Sequence, residues 1–90
     1  MPSILLPGVL RTYVDGLSEV HVSGSTVRLA LEDLLSRYPN FRQHLCKPDG
    51  SLHRYMNLYL DETNLKELEG LDTPLKPADV LRLVPSIAGG

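Results

Sequence analysis

The residues with the clearest chemical potential are Gly89 and Gly90, the last two of the sequence. They follow the stretch VPSIA, in which Pro85 fixes its own φ and cannot donate to a β-ladder. Glycine has no side chain, so a Gly-Gly end can pass along a narrow channel without collision. These features predict that residues 85–90 form a flexible, reactive tail, with the carboxylate of Gly90 as its reactive group. The competing interpretation is a frayed terminus, and the elements before the tail decide between them.

Other side chains that could do chemistry are scattered. The three histidines, His21, His44 and His53, show no spacing that suggests a metal site. Cys46 lies beside Lys47, and a nearby cation can lower the pKa of a thiol, but a small structural residue is the simpler interpretation. The sequence therefore predicts no metal ligands and no cofactor bound by the chain itself.

The residues before the tail predict a hairpin, one main helix and a closing strand. Residues 4–14 and 18–24 are β-rich and favour two paired strands, the first interrupted at a Pro-Gly pair. Residues 53–62 alternate as a strong strand, residues 64–77 leave room for a short one, and residues 80–84 form the last. Between them, Ser25 or Thr26 caps a helix that stops at Pro39. Its apolar stripe is Val27, Ala30, Leu31, Leu34, Leu35 and Tyr38.

This order predicts a single α+β domain over residues 1–90, with the β-grasp or ubiquitin-like architecture. A helix with one apolar stripe needs one sheet face to cover it. The first hairpin and the last strand can be parallel neighbours only through a crossover, which the helix supplies. We expect a mixed sheet of four to five strands packed on one main helix. Its closing strand would project the tail from the sheet, which favours a reactive tail over a frayed terminus.

Composition and charge exclude several partners. The chain carries a net charge of −2, and its nine Lys and Arg residues form no basic block, which argues against nucleic acid. No apolar run approaches the ~18 residues that span a bilayer, and the N-terminus lacks the positive region of a secretory signal. A lone cysteine cannot form an internal disulfide, so we expect a cytoplasmic protein that binds no membrane.

The outward faces of the last two long strands predict a docking surface. Tyr55 and Tyr59 alternate away from the core-facing positions, and Arg82 and Val84 point the same way. With Ile87 of the tail they would form an aromatic and apolar patch beside the reactive end. An unoccupied tyrosine-rich sheet face is the alternative.

Two segments resemble a known family. ADVLRLVPSIAGG, residues 78–90, resembles the C-terminal signature of the ubiquitin-like sulfur carrier proteins of the ThiS and MoaD type. LHRYMNLYLDET, residues 52–63, is similar to the matching strand of the mycobacterial-type carrier for cysteine biosynthesis, and LLPGVLR near the start fits the same subgroup. The resemblance covers nearly the whole chain. It is most specific over residues 52–63 and 78–90 and weakest through the helix and residues 64–77.

The resemblance implies chemistry at Gly90. In the family, an adenylating enzyme related to ubiquitin E1 uses ATP to activate the terminal glycine, and a sulfur donor displaces AMP to leave a thiocarboxylate. The protein would then be a sulfur-donating co-substrate of partner enzymes and not itself an enzyme.

The resemblance leaves the acceptor open. The subgroup implies a pyridoxal-phosphate cysteine synthase as acceptor and a deubiquitinase-like metalloprotease that frees cysteine. The alternatives are the small subunit of molybdopterin synthase, with its tail in the large subunit, and the thiamine-pathway carrier. A further alternative is a ubiquitin-like modifier conjugated to lysines.

Overall fold

A computed structural model of the chain describes residues 1–85. They form one five-stranded sheet in the order β2-β1-β5-β3-β4. Its strands are β1 (Ser3–Leu5), β2 (Glu19–His21), β3 (Met56–Leu60), β4 (Thr63–Asn64) and β5 (Val80–Pro85), and its α-helices are α1 (Val27–Arg37) and α2 (Arg42–Leu45). Residues 1–85 also contain four 3₁₀ helices: Gly8–Val14, Pro39–Phe41, Leu65–Glu67 and Gly70–Asp72.

The strand pairing confirms the predicted β-grasp arrangement. β1 and β2 are antiparallel, β1 and β5 are parallel, and β3 is antiparallel to both β5 and β4. The parallel pair requires a crossover between β2 and β5, and α1 lies on that connection. No helix within residues 1–85 has the length and apolar character needed to cross a membrane.

Helix α1 begins and ends where its sequence predicts. Thr26 is extended, and its Oγ1 accepts a hydrogen bond from the Leu29 amide at 3.3 Å. That bond satisfies one of the amides left without a partner in the first turn. The helix ends at Arg37, two residues before Pro39. Its stripe of Val27, Ala30, Leu31, Leu34 and Leu35 is buried, and Tyr38 packs against the core half-buried.

The core lies between α1 and the inner face of the sheet. Leu58 of β3 pairs with Leu83 of β5, and Leu60 pairs with Leu81, so the alternating apolar residues of both strands face the helix. Gly24 brings the chain close to α1 at the start of this layer. It has φ +156°, and a Cβ there would lie 2.5 Å from the backbone nitrogen of Ala30, so only glycine fits.

The prediction that residues 4–14 form one strand is wrong beyond Leu5. Pro7 cannot donate to the ladder, and the chain leaves the sheet as the 3₁₀ helix Gly8–Val14. Leu10 and Val14 face the core at helical spacing, and Tyr13 stacks on Phe41 with ring centroids 5.7 Å apart. Asp15 and Gly16 form the turn that closes this helix, with Asp15 in a left-handed backbone conformation.

The segment from 53 to 77 is also less extended than predicted. β3 begins at Met56, and the short strand β4 is limited to Thr63 and Asn64. After β4 the chain forms the 3₁₀ helices Leu65–Glu67 and Gly70–Asp72. Asn64 caps the first of these, since its side-chain oxygen accepts from the Lys66 amide at 2.9 Å.

Candidate functional site

Strand β5 carries the chain to the base of the predicted tail. It lies between β1 and β3 in the middle of the sheet, and its last residue, Pro85, pairs with Met56. The predicted tail residues Ile87, Gly89 and Gly90 lie outside the described residues. The base of the tail is therefore fixed by the central strand of the sheet.

The outer face of the sheet brings three of the predicted docking residues together. Arg82 lies opposite Tyr59 on one side and Leu5 on the other. Its guanidinium carbon is 5.9 Å from the centroid of the Tyr59 ring, a cation–π distance. Val84 follows on the same face, opposite Asn57, and is 38% exposed. Tyr59, Arg82 and Val84 thus form one surface, which we call the outer patch.

Tyr55 does not share a strand with Tyr59, contrary to the alternation read from the sequence. It lies in the turn before β3, where its ring stacks on His53 with centroids 4.9 Å apart. Its hydroxyl donates to the His44 carbonyl at 3.4 Å, which holds the ring against α2. Tyr55 remains exposed and flanks the strand end at which Met56 meets Pro85.

A groove that the sequence did not indicate adjoins the base of the tail. It encloses about 580 Å³ between the 3₁₀ helix Gly8–Val14 and the end of β5, and we call it the root groove. Leu5, Leu6, Pro7, Val9, Val84 and Pro85 form its apolar lining, and Arg11, Ser18, Glu19, Arg82 and Leu83 complete it. The signals that could have revealed it are the Pro7-Gly8 break and an apolar Val9 directly after it.

An acidic depression lies on the other side of Arg82. Asp61 and Glu62, in the turn between β3 and β4, line it with Leu5, Thr63 and Val80. Asp61 adopts a left-handed backbone conformation with φ 57°, which Asp tolerates in tight turns. Arg82 therefore separates an apolar groove from a carboxylate-lined depression.

Cys46 has the properties of a structural residue. Its side chain is buried, and that burial raises the pKa of its thiol above the ordinary value, against the opposing effect of Arg42. A raised pKa keeps the thiol protonated near neutral pH, where a nucleophilic cysteine needs the thiolate. Across residues 1–85, no three His, Cys, Asp or Glu side chains come close enough to hold a metal ion.

Comparison with known proteins is consistent with this geometry. The chain matches the model of the ThiS family over residues 4–90. It is 30% identical to the sulfur carrier protein CysO of Mycobacterium tuberculosis over 90 residues, which cover 98% of this chain and 97% of that protein. A chain in the crystal structure of the BexX/CysO complex of Amycolatopsis orientalis is 31% identical, with a TM-score of 0.90 and full coverage of both chains.

A third likeness is to a protein named as a modifier. The small archaeal modifier protein 1 of Methanosarcina acetivorans is 29% identical, with a TM-score of 0.87, and the match covers 99% of this chain and 95% of that one. The family model spans almost the whole sequence, and the curated CysO relative is a carrier protein and not an enzyme. The chain belongs to the ThiS family.

Proposed function

We propose that the protein is a sulfur carrier of the CysO type whose Gly90 carboxylate is converted to a thiocarboxylate. The observation that carries this proposal is the match to the ThiS family over residues 4–90, which includes the Gly-Gly end. The near full-length likeness to CysO supports it, as does a central strand that ends at the base of the tail.

The proposed chemistry proceeds in two steps on partner enzymes, adenylation and then sulfur transfer. An E1-like enzyme joins the Gly90 carboxylate to the α-phosphate of ATP, which releases pyrophosphate and leaves an acyl-adenylate. A sulfur nucleophile then attacks the acyl carbon, and AMP leaves with the electron pair of the broken C–O bond. With hydrosulfide as this nucleophile, loss of its proton leaves the terminus as a thiocarboxylate, and no oxidation state changes. The carrier binds no ATP of its own and supplies only the activated end.

The chain's own residues would position that end. β5 fixes the base of the tail, and the outer patch lies on the same strand. We propose that Tyr59, Arg82 and Val84 contact the partner, with Tyr55 and Ile87 contributing at the strand end and in the tail. Aromatic and arginine side chains supply a large share of the binding energy in protein interfaces.

Cysteine biosynthesis is the proposed destination of the sulfur. The likeness to CysO supports a cysteine synthase as acceptor and a deubiquitinase-like metalloprotease that releases the product. Transfer to the large subunit of molybdopterin synthase, or into the thiamine pathway, would use the same thiocarboxylate. The identity of the acceptor is therefore a separate question from the chemistry at Gly90.

The likeness to the archaeal modifier favours a second candidate function, conjugation to lysines. Both functions begin with adenylation of the tail, and they differ in what attacks the activated carbonyl. A sulfur donor gives a free thiocarboxylate, whereas a lysine amine gives an isopeptide bond. Intact mass of the protein purified from its own host distinguishes the two products.

The decisive experiment is in vitro loading with the adenylating enzyme of the same host, ATP and a sulfur donor. The native chain should gain the mass that corresponds to exchange of one oxygen for sulfur. A chain lacking Gly90 retracts its carboxylate by roughly 3.3–3.6 Å, and a chain with one added residue moves it outward. Neither should be loaded, because misplacement by about 1 Å can already cost on the order of a hundredfold in rate.

Cys46→Ser is the matched control for this experiment. It removes the only thiol of the chain, and loading should be unaffected if Gly90 carries the sulfur. Equal loading of the native, shortened and extended chains would refute the proposed mechanism. So would loss of loading in the Cys46 variant alone, provided that the variant is folded.

The outer patch is tested by titrating variants against the same enzyme. Tyr59→Ala, Arg82→Ala and Val84→Ala should each weaken binding by at least ~1–2 kcal/mol while the unfolding midpoint stays nearly constant. Unchanged affinity in all three would remove the patch from the proposal and leave the tail chemistry standing.

A further inference from the structure

The outer face of the sheet, which is the side away from α1, carries charges of both signs next to each other. Arg82 on β5 and the two carboxylates of Asp61 and Glu62 are exposed, and all three line the acidic depression. Within residues 1–85, none of the three forms a salt bridge. Opposite charges therefore lie on two sides of one depression without being paired to each other.

Partly exposed apolar side chains surround these charges. Leu5 and Val80 line the same depression and are half-buried. The half-buried Tyr59 ring lies beneath the Arg82 guanidinium, and Val84 follows along β5 on the same face. The remaining apolar surface of these residues could be buried by a second surface laid against the sheet.

We propose that the outer face binds a second copy of this chain in a two-fold symmetric dimer, with Arg82 of each copy paired to Asp61 or Glu62 of the other. In an interface of this symmetry every contact is made twice, once in each direction. Two sheets that pack face to face lie about 10 Å apart, so arginine and glutamate side chains from opposite copies can meet. The inference goes beyond the proposed function and does not depend on it.

Charge complementarity identifies a second copy as the occupant. A surface of one charge sign would attract one side of the depression and repel the other, because Arg82 lies on one side and the carboxylates on the other. A copy of the same face, rotated about a two-fold axis that passes through the depression, places a carboxylate over each arginine. The arginine and carboxylate can then form two parallel hydrogen bonds, which fixes the orientation of the two copies.

Such a dimer would cover the outer patch. Arg82 and Tyr59 belong to both surfaces, so a chain in the dimer could not present them to another protein. The dimer would thus be a reserve form, from which the monomer is released by dilution or by a competing partner. A small and partly polar interface should be weak, with a dissociation constant on the order of 0.1 mM.

The test is sedimentation velocity of the full chain from about 10 µM to about 1 mM, which brackets this dissociation constant. Arg82→Glu and Glu62→Arg should each raise it by at least roughly tenfold, because each change turns two attractive contacts into repulsive ones. Glu62 is the better carboxylate to replace, since Asp61 holds a left-handed backbone conformation in the turn.

Mixing the two variants gives the sharpest result. In the mixed dimer, the carboxylate introduced at position 82 meets the arginine introduced at position 62, and the native Arg82 of one chain meets the native Glu62 of the other. An equimolar mixture of Arg82→Glu and Glu62→Arg should therefore associate with a dissociation constant within about threefold of the native one. The chain that carries both changes should associate equally well with itself.

The matched controls make the same charge changes away from the depression. Arg28→Glu alters an exposed arginine on α1, and Glu67→Arg alters an exposed carboxylate that follows β4. Both should keep the native dissociation constant. Glu62→Arg changes an exposed turn, so it keeps the inference testable even if Arg82→Glu weakens the fold by losing its contact with Tyr59.

Three results would overturn the inference. The first is a native chain that remains monomeric at about 1 mM, well above the expected dissociation constant. The second is a folded Glu62→Arg variant that associates as the native chain does. The third is a mixture of the two folded variants that associates no better than either variant alone.

Discussion

Leu58 shows how much of this small domain depends on single core residues. It is 2% exposed in the middle of β3 and pairs with Leu83 of β5 beneath α1. Both neighbours along β3, Asn57 and Tyr59, face the outer side, so the inner side at this point depends on Leu58. Truncating a buried leucine loses its transfer free energy and leaves a cavity that the surroundings only partly fill.

We predict that Leu58→Ala lowers the free energy of unfolding by about 2–5 kcal/mol. Since a domain of this size holds only about 5–15 kcal/mol, the urea midpoint should fall markedly. Leu29→Ala is the control, because Leu29 is 50% exposed on α1, and its cost should stay within about 0.5 kcal/mol. Equal midpoints for the two variants would mean that Leu58 does not hold the core.

At the scale of elements, α1 protects the edge strand β2. Strand β2 ends the sheet, so the outward backbone groups next to it could pair with another chain. The Arg37 guanidinium donates to the His21 carbonyl, and the Asp33 carboxylate accepts from the Ser23 amide at 2.8 Å. Arg37 and Asp33 are themselves paired at 3.0 Å, so one ion pair forms hydrogen bonds with both of these backbone groups.

This arrangement predicts a larger coupling energy between Asp33 and Arg37 than a simple surface ion pair has. A double-mutant cycle with Asp33→Ala and Arg37→Ala should give a coupling energy of about 1 kcal/mol. The comparison cycle uses Arg28 and Asp72, whose side chains are 54% and 77% exposed, and should give only about 0.3 kcal/mol. Urea denaturation of the six single and double variants measures both. Equal couplings would show that the backbone contacts at β2 add nothing.

At the scale of the whole molecule, β5 organises the fold. It joins the β1–β2 pair to the β3–β4 pair, with parallel pairing on one side and antiparallel pairing on the other. Its inward residues, Leu81 and Leu83, are buried, and its outward residues carry the outer patch. The same strand therefore holds the core together and supports the base of the tail.

We predict that the amides of β5 exchange with solvent most slowly. Breaking the hydrogen bonds of these amides requires both halves of the sheet to separate, so their opening free energy should approach that of global unfolding. The two residues of β4, at the sheet edge, should exchange much faster. Native-state hydrogen exchange followed by NMR measures both. If β5 exchanged as fast as β4, the central strand could not be the element that fixes the base of the tail.

Much of the fold could be predicted because hydrophobic periodicity reports burial directly. The stripe from Val27 to Leu35 and the alternation of Leu81 and Leu83 each fix one buried face, and a helix stripe needs a sheet face to cover it. Thr26 and Pro39 mark the limits of α1 by local backbone chemistry. The Gly-Gly end is likewise a property of the sequence, and the resemblance of residues 78–90 to the sulfur carriers implied the proposed chemistry without any tertiary contact.

Tertiary structure decided what local pattern left undetermined. Residues 8–14 are β-rich, but once Pro7 breaks the ladder, Leu10 and Val14 reach the core only through a helical turn. Tyr55 continues the alternation of β3 in sequence, yet its contacts with His53 and His44 hold it outside the strand. The root groove depends on residues from β1, β5 and the helix between β1 and β2. Such a surface forms only when distant segments pack together, so no single stretch of sequence contains it.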